Sequence, residues 1–294
     1  QYAVQSRQEK LLALRKRLQK FGNKTSTLIC GLDDIAWLTN LRGHDNALYP
    51  FFHSYALVTP DEAFLCADRL KFSESILKKL SQDGWSLQEY GDIERLIQQL
   101  PSGTTLYLDE TKTPFKLYSA IPKNVTVKTG LDEVTAMKAC KSRGEQDNIR
   151  RANIEEAVAV VRLMRWIESN VQSGLLNEYE VGQKLNEFRQ ASSLYIQPAN
   201  IPIVGYGANA ALPHYRPTRQ NSASIQPEGL LLFDVCAHYF CGTTDLTRTV
   251  AVGELTREMK EDYTLTLKTH VALATLTFPY GTTGDLIDAV VKSN

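Results

Sequence analysis

GLLLFDVCAHYFCGTTDLTRTVAVG, residues 229–253, decides the fold of the second half of this chain. GLLLFDVCAHY and TDLTRTVAVG read as two β-strands, apolar and rich in β-branched residues, joined through FCGT. On an antiparallel pair Asp234 and Asp245 face each other across the ladder. Two carboxylates facing one pocket repel, and one pKa rises unless a cation sits between them. Carboxylate oxygens suit hard divalent ions such as magnesium, manganese or iron. The competing account makes Asp245 a turn residue at the start of a strand and Asp234 an ion-pair partner of Arg248. Spacing alone leaves both standing.

Upstream, LPHYRP (212–217) sets His214 between two prolines, either aimed at such a centre or packed as a structural imidazole near a strand end. His44, in the polar stretch NLRGHDN, lines a cleft or is solvated, and His53, His238 and His270 lie in apolar or helical surroundings that suit structural roles. Five cysteines, an odd number with wide spacing and no CxxC pair, read as reduced thiols. Cys236 and Cys241 would need His238 to make a zinc site, and tetrahedral sites rarely use that spacing.

Working outward, 294 residues predict two domains. Lys+Arg and Asp+Glu balance at 33 each, so no global field favours nucleic acid or an anionic membrane. The longest apolar runs fall far short of the ~20 residues a membrane helix needs, and the chain reads as soluble. QYAVQSRQEK, at the start, is polar and lacks an initiator Met or a secretory signal, as expected of an internal cut or a processed start. In the first half, helical periodicity from Gln5 to Phe21 leads into the apolar strand TSTLICGL. A helix DDIAWLTN follows, with Asp33 or Asp34 as its cap, then a hairpin FFHSYALVTPDEAFLCAD turning at Thr59, Pro60 and Asp61. Strands and helices keep alternating to about residue 130, which predicts an α/β domain over 1–130. A long amphipathic helix from Arg143 opens the second domain, 131–294, a second helix follows from Glu178 to Gln190, and the later strands and helices give an α+β texture.

Taken together, ANAALPHYRP, GLLLFDVCAHYFCGTTDLTRTVAVGELTREMKEDYT and HVALATLTFPYGTTGDLID closely resemble the Xaa-Pro aminopeptidases (aminopeptidase P), of the creatinase and methionine aminopeptidase superfamily. The first half, with DDIAWLTNLRG and FFHSYALVTPDEAFLCAD, resembles the creatinase-type domain that precedes the catalytic one in three-domain forms. The resemblance implies a creatinase-like α/β domain followed by the first part of a pita-bread metallopeptidase domain. It implies removal of the N-terminal residue from a peptide with proline second, in a cytoplasmic enzyme that is a homodimer at full length. Two divalent ions are implied, with manganese expected and zinc or cobalt as alternatives. Asp234 matches the aspartate holding one metal, Asp245 the aspartate bridging both, and His214 the histidine that contacts substrate beside them. Thr247 is at best an outer partner through its hydroxyl.

The family's remaining ligands, a histidine in a GHG-type segment and two glutamates, have no counterpart here. The chain is therefore expected to be truncated at both ends, to be inactive alone and to expose apolar surface. Two rival readings remain: a prolidase-type Xaa-Pro dipeptidase, which shares the ligands, and a non-catalytic pita-bread module that binds proteins.

Overall fold

The computed structural model describes residues 2–293, which form two compact units dividing between Arg151 and Ala152. In chain order the first contains α1 (Arg7–Leu18), β1 (Thr25–Ile29), α2 (Leu32–Thr39), β2 (Ser54–Val58), β3 (Ala63–Ala67), α3 (Glu74–Gln82) and β4 (Ser86–Gln88). It continues through α4 (Ile93–Gln98), β5 (Thr105–Leu108), α5 (Phe115–Ser119), β6 (Thr126–Thr129), α6 (Glu133–Ala139) and the opening turns of α7 (Arg143–Asn170). Its sheet runs β4-β3-β2-β1-β5-β6, antiparallel at β1/β2 and β2/β3 and parallel elsewhere. Successive residues point to opposite faces, and both faces are covered. Ile29, Ala56, Val58 and Leu65 pack with α1 and α2 on one side, while Leu28, Leu57, Cys66 and Leu108 pack with α4 and α5 on the other.

α1 starts with a capping box between Ser6 and Glu9. α2 corrects the sequence reading, because its N-cap is Gly31 and neither Asp33 nor Asp34 caps it. Asp34 is buried and accepts from Lys112 Nζ at 2.6 Å and Thr135 Oγ1 at 2.9 Å, with Lys138 Nζ 2.8 Å from its other oxygen. A carboxylate removed from water gains more from two ammonium groups than from free backbone N–H groups that solvent can serve.

The second unit joins the remainder of α7 to α8 (Glu178–Arg189), β7 (Tyr195–Pro198), β8 (Ile203–Tyr206), β9 (Leu230–Tyr239), β10 (Gly242–Ala251), α9 (Arg257–Ala274) and α10 (Gly284–Lys292). β9 is central, antiparallel to β10 on one side and to β7 and β8 on the other. Its alternation sorts the two faces: Leu231, Phe233 and Val235 pack with Leu163 and Ile167 of α7 and Leu185 of α8, and Leu232, Asp234 and Cys236 look the other way. Among the described residues α9 and α10 bury none, and Tyr263, Leu265, Leu267 and Val271 stay about half exposed.

Beneath the sheet, Arg189 and Glu156 form an ion pair whose side chains are wholly buried. Arg189 Nε donates to Glu156 Oε2 at 3.0 Å, and Tyr239 Oη donates to the same oxygen at 2.7 Å. This network ties α7 and α8 to the end of β9.

Candidate metal centre

The β9–β10 hairpin builds the site. A two-residue connection, Phe240–Cys241, pairs Tyr239 with Gly242, and every later pair follows from that one. Cys236 therefore lies opposite Asp245, and Asp234 opposite Thr247. Cross-strand partners share a face, so Asp234, Cys236, Asp245 and Thr247 all point away from the α7/α8 layer. The expectation that the two aspartates face each other directly is corrected here: they are diagonal neighbours, with the Cys236 thiol between them.

One donor atom from each of Asp234, Cys236 and Asp245 can be chosen so that all three lie within 4.8 Å of one another, the cluster among the described residues able to share an ion. Cys236 Sγ donates to Asp245 Oδ1 at 3.3 Å. Burial, then the hydrogen bond and charge of Asp245 and the charge of Asp234, push the thiol up to about 12. Both acids thus favour a positive charge at this spot, whether a proton or a metal ion. The donor set fits a divalent cation, because two carboxylates on one open face supply oxygens that need no rearrangement of the backbone. The alternative pairing of Asp234 with Arg248 fails on register, since Arg248 lies opposite Phe233 on the other face and donates to the Thr247 carbonyl at 2.7 Å.

The backbone at Cys236 is fixed from the far edge as well. Its N–H donates to Asn200 Oδ1 at 3.1 Å and its carbonyl accepts from Ala199 N–H at 3.0 Å, bridging the gap between β7 and β8.

His214 sits in an exposed loop with φ of 59°, a left-handed conformation that costs a non-glycine residue energy. It is not part of the three-residue cluster. Glu178, fully buried at the start of α8, organises this loop. Its carboxylate accepts from Tyr206 N–H at 2.7 Å, Asn209 Nδ2 at 3.0 Å, Tyr215 Oη at 2.8 Å and Ala223 N–H at 2.8 Å. Asn209 and Tyr215 bracket His214 in sequence, so one buried carboxylate sets the path on which the histidine rides. Gly205 allows the chain to fold back there, because a Cβ would come within 2.8 Å of the Ala210 backbone.

Glu178 goes unmarked in the sequence, and Cys236 is weighed there only with Cys241 and His238, not with the aspartates that the structure sets beside it. Cys236 had a readable signal, its spacing of two from Asp234 within a strand, which puts both on one face. Glu178 had none, since its partners come from three segments far along the chain. Two other histidines have local partners: His238 Nδ1 lies 2.8 Å from Thr243 Oγ1, and His53 Nδ1 lies 3.4 Å from Asp45.

Residues 1–145 match the creatinase/prolidase N-terminal domain, and residues 147–293 match metallopeptidase family M24. Xaa-Pro aminopeptidase 2 of Sus scrofa is 34% identical over 298 residues, covering 99% of this chain and 44% of that protein. A probable Xaa-Pro aminopeptidase P of Sclerotinia sclerotiorum is 36% identical over 293 residues, covering 96% and 48%. Among solved structures, X-prolyl aminopeptidase from Caenorhabditis elegans, described as a cytosolic enzyme with a di-nuclear active site, superposes with a TM-score of 0.90 at 28% identity, covering 99% of this chain and 48% of that one. The chain spans about half the length of the curated relatives it matches.

Proposed function

We propose, since this chain belongs to metallopeptidase family M24 and carries a creatinase/prolidase N-terminal domain ahead of it, that it serves the removal of an N-terminal residue from peptides with proline second. The observation that carries this reading is the convergence of Asp234 and Asp245 on one face of the β9–β10 hairpin. These two would hold the divalent ions, and manganese is proposed among the hard ions that carboxylate oxygens suit. Two such ions, when bound, polarise a scissile carbonyl and lower the pKa of water.

The chain's own residues supply position and proton-bearing groups. Asp234 and Asp245 extend from neighbouring strands of one sheet, so their separation is set by a rigid element rather than by a loop. His214, carried on the loop that Glu178 pins, contacts the substrate and donates a hydrogen bond where negative charge develops on the carbonyl oxygen. An Xaa-Pro bond is a tertiary amide without an N–H, so its recognition rests on the carbonyl and on the shape of the proline ring. All five cysteines are free, which supports a reducing, cytosolic setting. No helix among the described residues is long and apolar enough to cross a membrane. The full-length protein is proposed to act as a homodimer.

A panel of Xaa-Pro dipeptides against Xaa-Pro-Xaa peptides tests the reading. The longer peptides should be cleaved after the first residue and the dipeptides left intact. Cleavage of dipeptides alone would make the protein a dipeptidase, and cleavage indifferent to proline would remove the reading altogether.

A further inference from the structure

We propose that Cys236 is itself a metal ligand, a sulfur donor set between the two aspartates that turns the preference of the site from manganese toward zinc or cobalt. The inference rests on the metal-centre reading above and deepens it.

The placement is forced by register. Asp234 and Cys236 stand on the same face of β9, and Asp245 lies directly opposite Cys236 rather than opposite Asp234. An ion that touches both carboxylates therefore approaches over the thiol. The separations suit coordination. Oxygen at about 2.0 Å and one sulfur at about 2.3 Å around a tetrahedral ion lie roughly 3.3–3.5 Å from one another. Cys236 Sγ and Asp245 Oδ1 are already 3.3 Å apart, and the full set lies within 4.8 Å. The N–H and carbonyl of Cys236 are both held from the β7/β8 edge by Asn200 and Ala199, and its strand is paired with β10 along its length, so the Cα–Cβ direction stays fixed while the ion enters.

Coordination exchanges one bond for another. The S–H proton now shared with Asp245 leaves to solvent, the sulfur lone pair binds the ion, and no oxidant or reductant is needed. A thiolate among carboxylates strengthens binding of borderline-soft ions far more than of manganese, which takes oxygen donors.

The test uses the full-length protein stripped of metal and titrated with Co2+. Visible d–d absorption reports that cobalt is bound, and near-ultraviolet sulfur-to-cobalt charge transfer reports that sulfur is bound to it. In the wild type both should rise together. Cys236→Ser should keep the visible bands and lose the near-ultraviolet one, with the zinc Kd raised at least about tenfold and the manganese Kd changed less than about threefold. A second measurement needs no variant: X-ray absorption at the zinc edge of the zinc-loaded wild type should show a sulfur shell at about 2.3 Å. Visible bands without charge transfer, or a zinc edge that shows oxygen and nitrogen shells alone, would overturn the sulfur ligand and leave the carboxylate centre standing. No cobalt uptake by either protein would overturn the centre and the sulfur ligand together.

Discussion

Asp234 and Asp245 contribute unequally at the scale of single residues. Asp245 is exposed and lies 3.3 Å from the Cys236 thiol, whereas Asp234 is half-buried beside the β8 edge. Asp245→Asn should weaken divalent-metal binding at least about 100-fold and abolish activity, read by metal content and turnover. His214→Ala should leave metal content unchanged and lower kcat by about 100- to 1000-fold, the loss expected for one donor to a developing oxyanion. Asp132 gives a pH signature in the first unit. Burial lifts its carboxyl from the ordinary 3.8 to about 6, although its own oxygen caps α6 by accepting from Val134 N–H at 2.7 Å. The unfolded chain loses this proton first, so stability contributed below pH 3.8 fades as pH rises and is gone above about 6. Asp132→Asn keeps the cap and should raise stability by about 1–3 kcal/mol at pH 7 and by little at pH 4, in melts across pH. Asp34 acts in the opposite direction. Burial alone would raise it, but Lys112 and Lys138 hold it below its ordinary value, so the stability it contributes is present above that value and is lost as pH falls through and below it.

At the scale of elements, the β9–β10 hairpin was legible in sequence as two strands bearing two acids, because alternation and β-branched residues mark strands directly. The register was not. FCGT can be divided into loop and strand in more than one way, and each division slides the acids past each other; the two-residue connection places Asp245 across from Cys236. The long helix from Arg143 and the helix from Glu178 were readable from their periodicity. The buried charges on them were not, because a charged residue in a helix reads as solvated until its partner is known. Glu156 and Arg189 are such a pair, 33 residues apart. Glu156→Ala should destabilise the second unit by about 3–5 kcal/mol, since it strands a buried guanidinium and the Tyr239 hydroxyl, measured by chemical unfolding. Glu178→Ala frees four donors on the segment from Tyr206 to Ala223, and amide exchange there should quicken while α7 stays protected.

At the scale of the whole molecule, two compact units carry two family matches, and the sheet face that bears Asp234 and Asp245 lies within the second unit. The open face of its sheet, with half-exposed apolar residues on α9 nearby in sequence, leaves the acids accessible to ions and substrate from solvent. The account therefore stands on whether this hairpin binds a divalent ion and whether that ion makes the protein cleave before proline. The most direct measurement is cleavage of an Arg-Pro-Pro peptide by full-length protein, first stripped by chelator and then given back a divalent metal, with Asp245→Asn alongside. The account predicts release of arginine that disappears on stripping, returns with metal and never appears in the variant. Cleavage that survives stripping, or that the variant retains, would contradict it.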